Sequence, residues 1–114
     1  MRKKNYKGRC VKKTLKKSKD VCRLYDAIQI AYAEMLDASD EIKEIRCNVS
    51  LDESDMDEYM SDFWCIKADG DFMVRECVFR KYLTKPMTIK NLDASREYWI
   101  KHGVIDWGLV IDEE

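Results

Sequence analysis

The chain has 114 residues, 46% of them apolar and 38% charged, with a formal net charge of -1. That length suits one domain around one core, and the apolar share is enough to fill it. No apolar run reaches the roughly 20 residues a membrane-spanning helix needs, and the N-terminus lacks the apolar stretch of a secretory signal. An intracellular, cytoplasmic protein with no membrane partner is expected.

The charge is unevenly placed. Residues 1–20 hold ten Lys/Arg against one acid, Asp20, a net of +9, while the remaining 94 residues hold eleven Lys/Arg against 21 acids, a net of -10. A basic block of this density is a footprint for phosphates, because Lys and Arg displace condensed counterions. Lys3, Lys4, Lys7, Arg9, Lys12, Lys13, Lys16 and Lys17 are the candidate nucleic-acid-binding residues, and DNA is the expected partner. They define a basic N-terminal arm over residues 1–17, ahead of a folded domain over residues 18–114. Cys10, Cys22, Cys47, Cys65 and Cys77 form no CxxC pair and His102 is the only imidazole, which excludes a zinc ribbon. Reduced, half-buried thiols are expected.

In chain order, Ser18 is a plausible N-cap for a helix running to about residue 37, with Leu24, Ile28, Ala31 and Met35 as its apolar stripe. Gln29 sits at the edge of that stripe, with Asp26 one turn behind. Ile45, Cys47, Val49 and Leu51 alternate with polar residues and predict a strand. Residues 52–58 are acidic and predict a solvated loop. Residues 59–67 and 72–82 predict two strands, joined at Ala68, Asp69 and Gly70. Residues 83–86 break the pattern at the single proline, Pro86. Thr88 predicts the cap of a second helix over roughly 89–102, ended by Gly103, with His102 as a partner for the helix dipole. Residues 104–111 predict a last strand. Trp64, Trp99 and Trp107 are expected to pack in the core. The order α-β-β-β-α-β implies a mixed sheet flanked by helices, an α/β fold.

The hairpin carries the candidate chemistry. A two-residue turn would set Asp62 and Glu76 on opposite faces, because successive strand side chains alternate. A three-residue turn, with Gly70 in the left-handed position, sets Lys67 opposite Asp71 and Asp62 opposite Glu76 on one face. Two carboxylates so placed repel each other, and a divalent cation removes that penalty. Mg²⁺ or Mn²⁺ suits such oxygen ligands and activates water toward a phosphodiester.

The segments Ser61-Asp62-Phe63, Val74-Arg75-Glu76 and Arg96-Glu97-Tyr98-Trp99, followed by Gly103 and Trp107, carry a resemblance. Over roughly residues 18–112 the chain resembles the N-terminal nuclease domain of TnsA-type transposon endonucleases, of the PD-(D/E)XK superfamily. The resemblance implies a restriction-endonuclease-like fold and metal-dependent cleavage of one strand at transposon ends during DNA recombination by a mobile element. It implies an integrase-like transposase subunit and an ATPase regulator as partners. It makes Asp62 and Glu76 the metal ligands, and it places the family's first-helix glutamate near Gln29, with Asp26 available as a substitute ligand. Where the family has a catalytic lysine two residues after the glutamate, this chain has Val78. Arg80, expected on the same strand face, and Lys81 are the candidate replacements. Two other readings follow from that departure: a degenerate, non-catalytic nuclease fold acting as a DNA-binding or assembly subunit, and a regulator that recruits or inhibits another nucleic-acid machine.

Overall fold

The computed structural model describes residues 10–51 and 59–112. Lys3, Lys4, Lys7, Arg9 and the acidic segment 52–58 lie outside the described residues.

Two short strands come first, β1 (Val11–Lys13) and β2 (Cys22–Leu24), paired antiparallel as a ribbon. The ribbon replaces the start of the helix expected from Ser18. Cys22 and Leu24 are buried while Val21 and Arg23 are exposed, a two-residue period that a helix cannot produce. The Ser18 hydroxyl donates to the Asp20 carbonyl rather than capping a helix. Helix α1 (Ala27–Ala38) begins at Asp26, whose side chain accepts the Gln29 N–H at 2.9 Å in an extended N-cap conformation. Starting there sets the buried face at Ile28, Gln29, Ala33 and Leu36: Ile28 and Leu36 are buried as the apolar pattern expects, while Ala31 and Met35 of the expected stripe are exposed.

The ribbon is fixed to the rest of the domain. Leu15 is buried in the core, and the backbone N–H groups of Lys16 and Lys17 donate to the Asp37 carboxylate. Cys22 and Cys47 are joined by a disulfide with a Cα–Cα distance of 5.5 Å, where reduced thiols were expected. It ties β2 to the edge strand of the sheet. Closing a loop of 25 residues removes disorder from the unfolded chain worth about 3 kcal/mol. Reduction with dithiothreitol is therefore expected to lower the stability measured in urea by about that amount. A Cys22→Ala, Cys47→Ala variant indifferent to reductant is the matching control.

The main sheet has four strands in the order β3 (Ile42–Ser50), β4 (Met60–Lys67), β5 (Phe72–Val78) and β6 (Asp106–Ile111). The first three pair antiparallel and β6 joins β5 in parallel, so the sheet is mixed as expected. β5 ends at Val78, short of the expected residue 82, and a 3-10 turn over Arg80–Tyr82 follows. Helix α2 (Pro86–Lys101) starts earlier than expected. Pro86 opens it at the first turn, where proline's missing N–H costs nothing, and Thr88 becomes a buried residue inside the helix. Gly103, at φ +87, ends it: its N–H donates to the Ile100 carbonyl and the Val104 N–H to that of Trp99, a Schellman closure.

The sheet separates two apolar clusters. Leu24, Ile28, Leu36, Ile45 and Phe63 pack on the α1 side. Leu51, Tyr59, Val74, Trp99 and Val104 pack on the α2 side, with Trp64 and Trp107 against them. Across the start of β6, Asp106 accepts from Lys67 at 2.7 Å and from Arg75 at 2.8 Å, and the hydrogen bond from Lys67 is the main reason its carboxyl is held below the usual range. Among the described residues, no helix is long and apolar enough to cross a membrane.

Candidate functional site

The hairpin has the register that the three-residue turn requires. Gly70 adopts φ +93, its N–H donates to the Lys67 carbonyl, and the Lys67 N–H donates to the Asp71 carbonyl at 2.7 Å. The ladder pairs Ile66 with Phe72, Cys65 with Met73, Trp64 with Val74 and Phe63 with Arg75. One further step would set Asp62 opposite Glu76 on one face, as expected, but the ladder ends at Phe63 and Arg75, and the two side chains turn to different helices, Asp62 to α1 and Glu76 to α2.

At that step the ladder gives way to side chains. The Asp62 N–H donates to Glu76 Oε1 at 3.1 Å, and the Cys77 N–H donates to Asp62 Oδ2 at 2.7 Å. Each carboxylate thus accepts an N–H from the facing strand, holding the strands together beyond their last backbone pair. The β4 alternation slips here. Phe63 packs edge-on against Tyr32 of α1, and Asp62 reaches the same helix, with the Gln29 amide donating to Oδ1 at 3.1 Å. Ser61 turns toward α2. In the same register of β3, Asn48 has φ +56, the irregular backbone that accompanies the slip.

Glu76 faces the other helix. Its Oε2 accepts the hydroxyls of Ser61 at 2.6 Å and Ser95 at 2.7 Å. Those hydroxyls in turn accept indole N–H groups, Trp99 to Ser61 at 2.8 Å and Trp107 to Ser95 at 3.2 Å. The result is two relays, each running from tryptophan through serine to one carboxylate oxygen. They join β4, β5, β6 and α2. Asp62 is 2% exposed and Glu76 0%. A buried carboxylate is tolerated only when its lone pairs meet donors, and here every oxygen of both side chains has at least one.

Asp62 Oδ1, Asp62 Oδ2 and Glu76 Oε1 each accept one of these donors and Glu76 Oε2 accepts two, so a divalent ion between the side chains would share oxygens already engaged by Gln29, backbone N–H groups and serine hydroxyls. Asp26 lies nearby but one of its oxygens caps α1. Arg80 and Lys81 lie off the strand in the 3-10 turn and are exposed. The Arg80 side chain donates to the Asp112 carbonyl, and the Lys81 ammonium sits 5.2 Å from the Tyr82 ring centroid. Val78 is partly buried at the end of β5. The structure thus joins Gln29 to the Asp62 carboxylate and Glu76 to the Asp62 backbone N–H, and leaves the two candidate cations outside. Ser61 was read only as part of a resembling segment and Ser95 was not read as a site residue; the cue for Ser95 was its place one turn before Trp99 on α2.

Beside the carboxylates lies a cavity of about 290 Å³, between the first turns of α1 and α2 and the end of β5. Asp26, Gln29 and Val78 reach it, together with Phe79, Tyr82 and Thr88.

On the ribbon, Lys12 stands directly opposite Arg23, and both are exposed. Lys13 is instead engaged by Glu34 at 2.6 Å, and the Lys17 ammonium donates to the Ser39 carbonyl. Arg23 joins the candidate cations only in the folded chain, because the sequence pattern places it on a helix.

The fold and site together define a small α/β domain with a mixed four-stranded sheet, two helices and a buried carboxylate pair at the open end of a hairpin. Comparison of the chain with protein-family models and with curated proteins found no match.

Proposed function

We propose that this protein is a DNA-binding subunit of a mobile genetic element, built on a restriction-endonuclease-like domain of TnsA type whose carboxylates have become structural. The observation that carries the reading is that every oxygen of Asp62 and Glu76 accepts a hydrogen bond from within the fold, with Val78 where that chemistry needs a lysine. Binding rests on the basic N-terminal segment. Like charges directly across a ladder destabilise it, so the Lys12 and Arg23 pair is an arrangement that a bridging phosphate relieves. The expected assembly partners are an integrase-like transposase and an ATPase regulator.

A second reading, strand cleavage with Mg²⁺ or Mn²⁺, draws on one observation: α1 and the hairpin bring Gln29, Asp62 and Glu76 to one place. Incubating the full chain with labelled end DNA, either metal and the transposase separates the two. The structural reading expects binding and no nicking above the level of Asp62→Ala; nicking that Asp62→Ala abolishes would overturn it.

Gln29→Glu gives a sharper version of the same choice. It returns an acid to the first-helix position and sets it against the buried Asp62 carboxylate. Repulsion without a donor is expected to cost about 2 kcal/mol or more. If the pair is structural, millimolar Mg²⁺ or Mn²⁺ leaves that loss in place. Recovery of the wild-type unfolding midpoint on adding metal would count for a cation site.

A further inference from the structure

The ribbon is a weak element with a covalent tie. It has three residue pairs, and a two-stranded ribbon standing alone is at best marginally stable. Its central pair sets Lys12 opposite Arg23, and like charges across a ladder weaken it further. The noncovalent anchors hold β1 and the chain after it. Lys13 pairs with Glu34, Leu15 is buried, the Lys16 and Lys17 N–H groups donate to Asp37, and the Lys17 carbonyl accepts the Ile45 N–H at 2.9 Å. On β2 the anchors are Leu24, buried in the core, and the Cys22–Cys47 bond. Arg23 stands between these two.

The bond borders a space that a small molecule can enter. Cys22 is buried but Cys47 is half-buried, and both line a cavity of about 390 Å³ between residues 18–22 and β3. That volume is in the range of small-ligand pockets. On its walls Lys19 and Arg46 balance Asp20 and Glu44, so its charge does not turn away an anionic thiol.

We infer that the Cys22–Cys47 disulfide is a reversible redox latch on the basic ribbon, opened by a small thiol entering this cavity. The inference rests on the DNA-binding reading and adds its regulation. A thiolate attacks the sulfur of Cys47, the less buried of the two residues; the S–S bond breaks and Cys22 leaves as a thiolate that takes up a proton. A second thiol then displaces Cys47 from the mixed disulfide. Two small thiols are thereby oxidised to one disulfide, and the disulfide of the protein is reduced to two thiols. With the latch open, β2 loses its tie to β3, and repulsion between Lys12 and Arg23 parts the strands. Binding DNA must then order the ribbon, a cost the oxidised protein does not bear.

The test treats the folded full chain with millimolar reduced glutathione. Alkylation after quenching and denaturation is expected to count three thiols before treatment, Cys10, Cys65 and Cys77, and five after it. In amide hydrogen exchange, β1 and β2 are expected to approach unprotected rates in the reduced protein while β4 and β5 stay protected. Reduction is expected to weaken binding to a labelled duplex, read by fluorescence anisotropy, about tenfold. Oxidised glutathione should restore it. The Cys22→Ala, Cys47→Ala variant should bind as the reduced wild type does, with or without reductant; the wild-type comparison stands even if that variant folds poorly. A bond that glutathione does not open in the folded protein overturns the inference. So does ribbon protection that survives reduction, or that is lost only together with that of β4 and β5. Equal duplex affinity of the oxidised and reduced proteins overturns it while leaving the DNA-binding reading intact. Failure of both forms to bind DNA, with the ribbon loosened by reduction, overturns the reading beneath it and the inference with it.

Discussion

Glu76→Ala is expected to be the most damaging single substitution in this protein, lowering stability by about 4 kcal/mol. Three donors lose their acceptor at once: the Asp62 N–H and the hydroxyls of Ser61 and Ser95. Each buried donor left unpaired costs about 1–3 kcal/mol, and water entering the vacated space recovers only part of that. The loss is a large share of the roughly 5–15 kcal/mol that holds a domain folded. For a chain of this size it corresponds to a fall in melting temperature of roughly 15 °C. Glu76→Gln keeps the shape but turns an amide N–H₂ toward existing donors, and an intermediate loss is expected. Thermal unfolding followed by circular dichroism measures both. A Glu76→Ala protein within about 1 kcal/mol of wild type would show that the carboxylate is not a keystone, since a single lost neutral hydrogen bond already amounts to that. A catalytic carboxylate behaves in the opposite way: its removal usually relieves repulsion and leaves stability unchanged or improved.

The second large effect concerns DNA. Replacing Lys12, Lys16 and Arg23 together with Gln is expected to weaken duplex binding roughly a hundredfold near physiological salt. Every phosphate that is no longer neutralised should flatten the slope of log affinity against log salt by about 0.9. The slope of the triple variant should therefore be shallower by roughly 2 to 3. All three side chains are exposed. Stability should hold or rise slightly, since the Lys12 and Arg23 repulsion is gone. Lys13→Gln alone should matter less to DNA, because its ammonium is already paired with Glu34. An unchanged salt slope in the triple variant would remove the ribbon from the interface.

Much of the α/β arrangement was legible because it rests on local rules. The two-residue alternation within the hairpin, the left-handed requirement at Gly70 and the stop at Gly103 each depend on a few neighbouring residues. The start of the first helix was misplaced for a reason equally physical. Residues 18–26 contain both a possible cap at Ser18 and an alternating Cys22-Arg23-Leu24, and only pairing with Val11–Lys13 and the bond to Cys47 selects the strand. Thr88 was misassigned because a hydroxyl before an apolar helix reads as a cap, whereas Pro86 had already opened the helix two residues earlier.

The sequence by itself determined the hairpin and narrowed its turn to two lengths, because turn signals and side-chain parity are properties of consecutive residues; it placed Asp62 and Glu76 on one face, whereas the slip in β4 sends Asp62 to α1 and leaves Glu76 facing α2. It could not determine what those carboxylates meet. The Gln29 donor on α1 is 33 residues from Asp62, and the serine donors Ser61 on β4 and Ser95 on α2 are themselves held by indoles of α2 and β6, with Trp99 38 residues from Ser61. Only tertiary packing carries them to the open end of the hairpin, and burial then makes the hydrogen bonds obligatory. That is the physical reason an acid pair with the spacing of a metal site is built, in the folded protein, as the joint between its sheet and its helices.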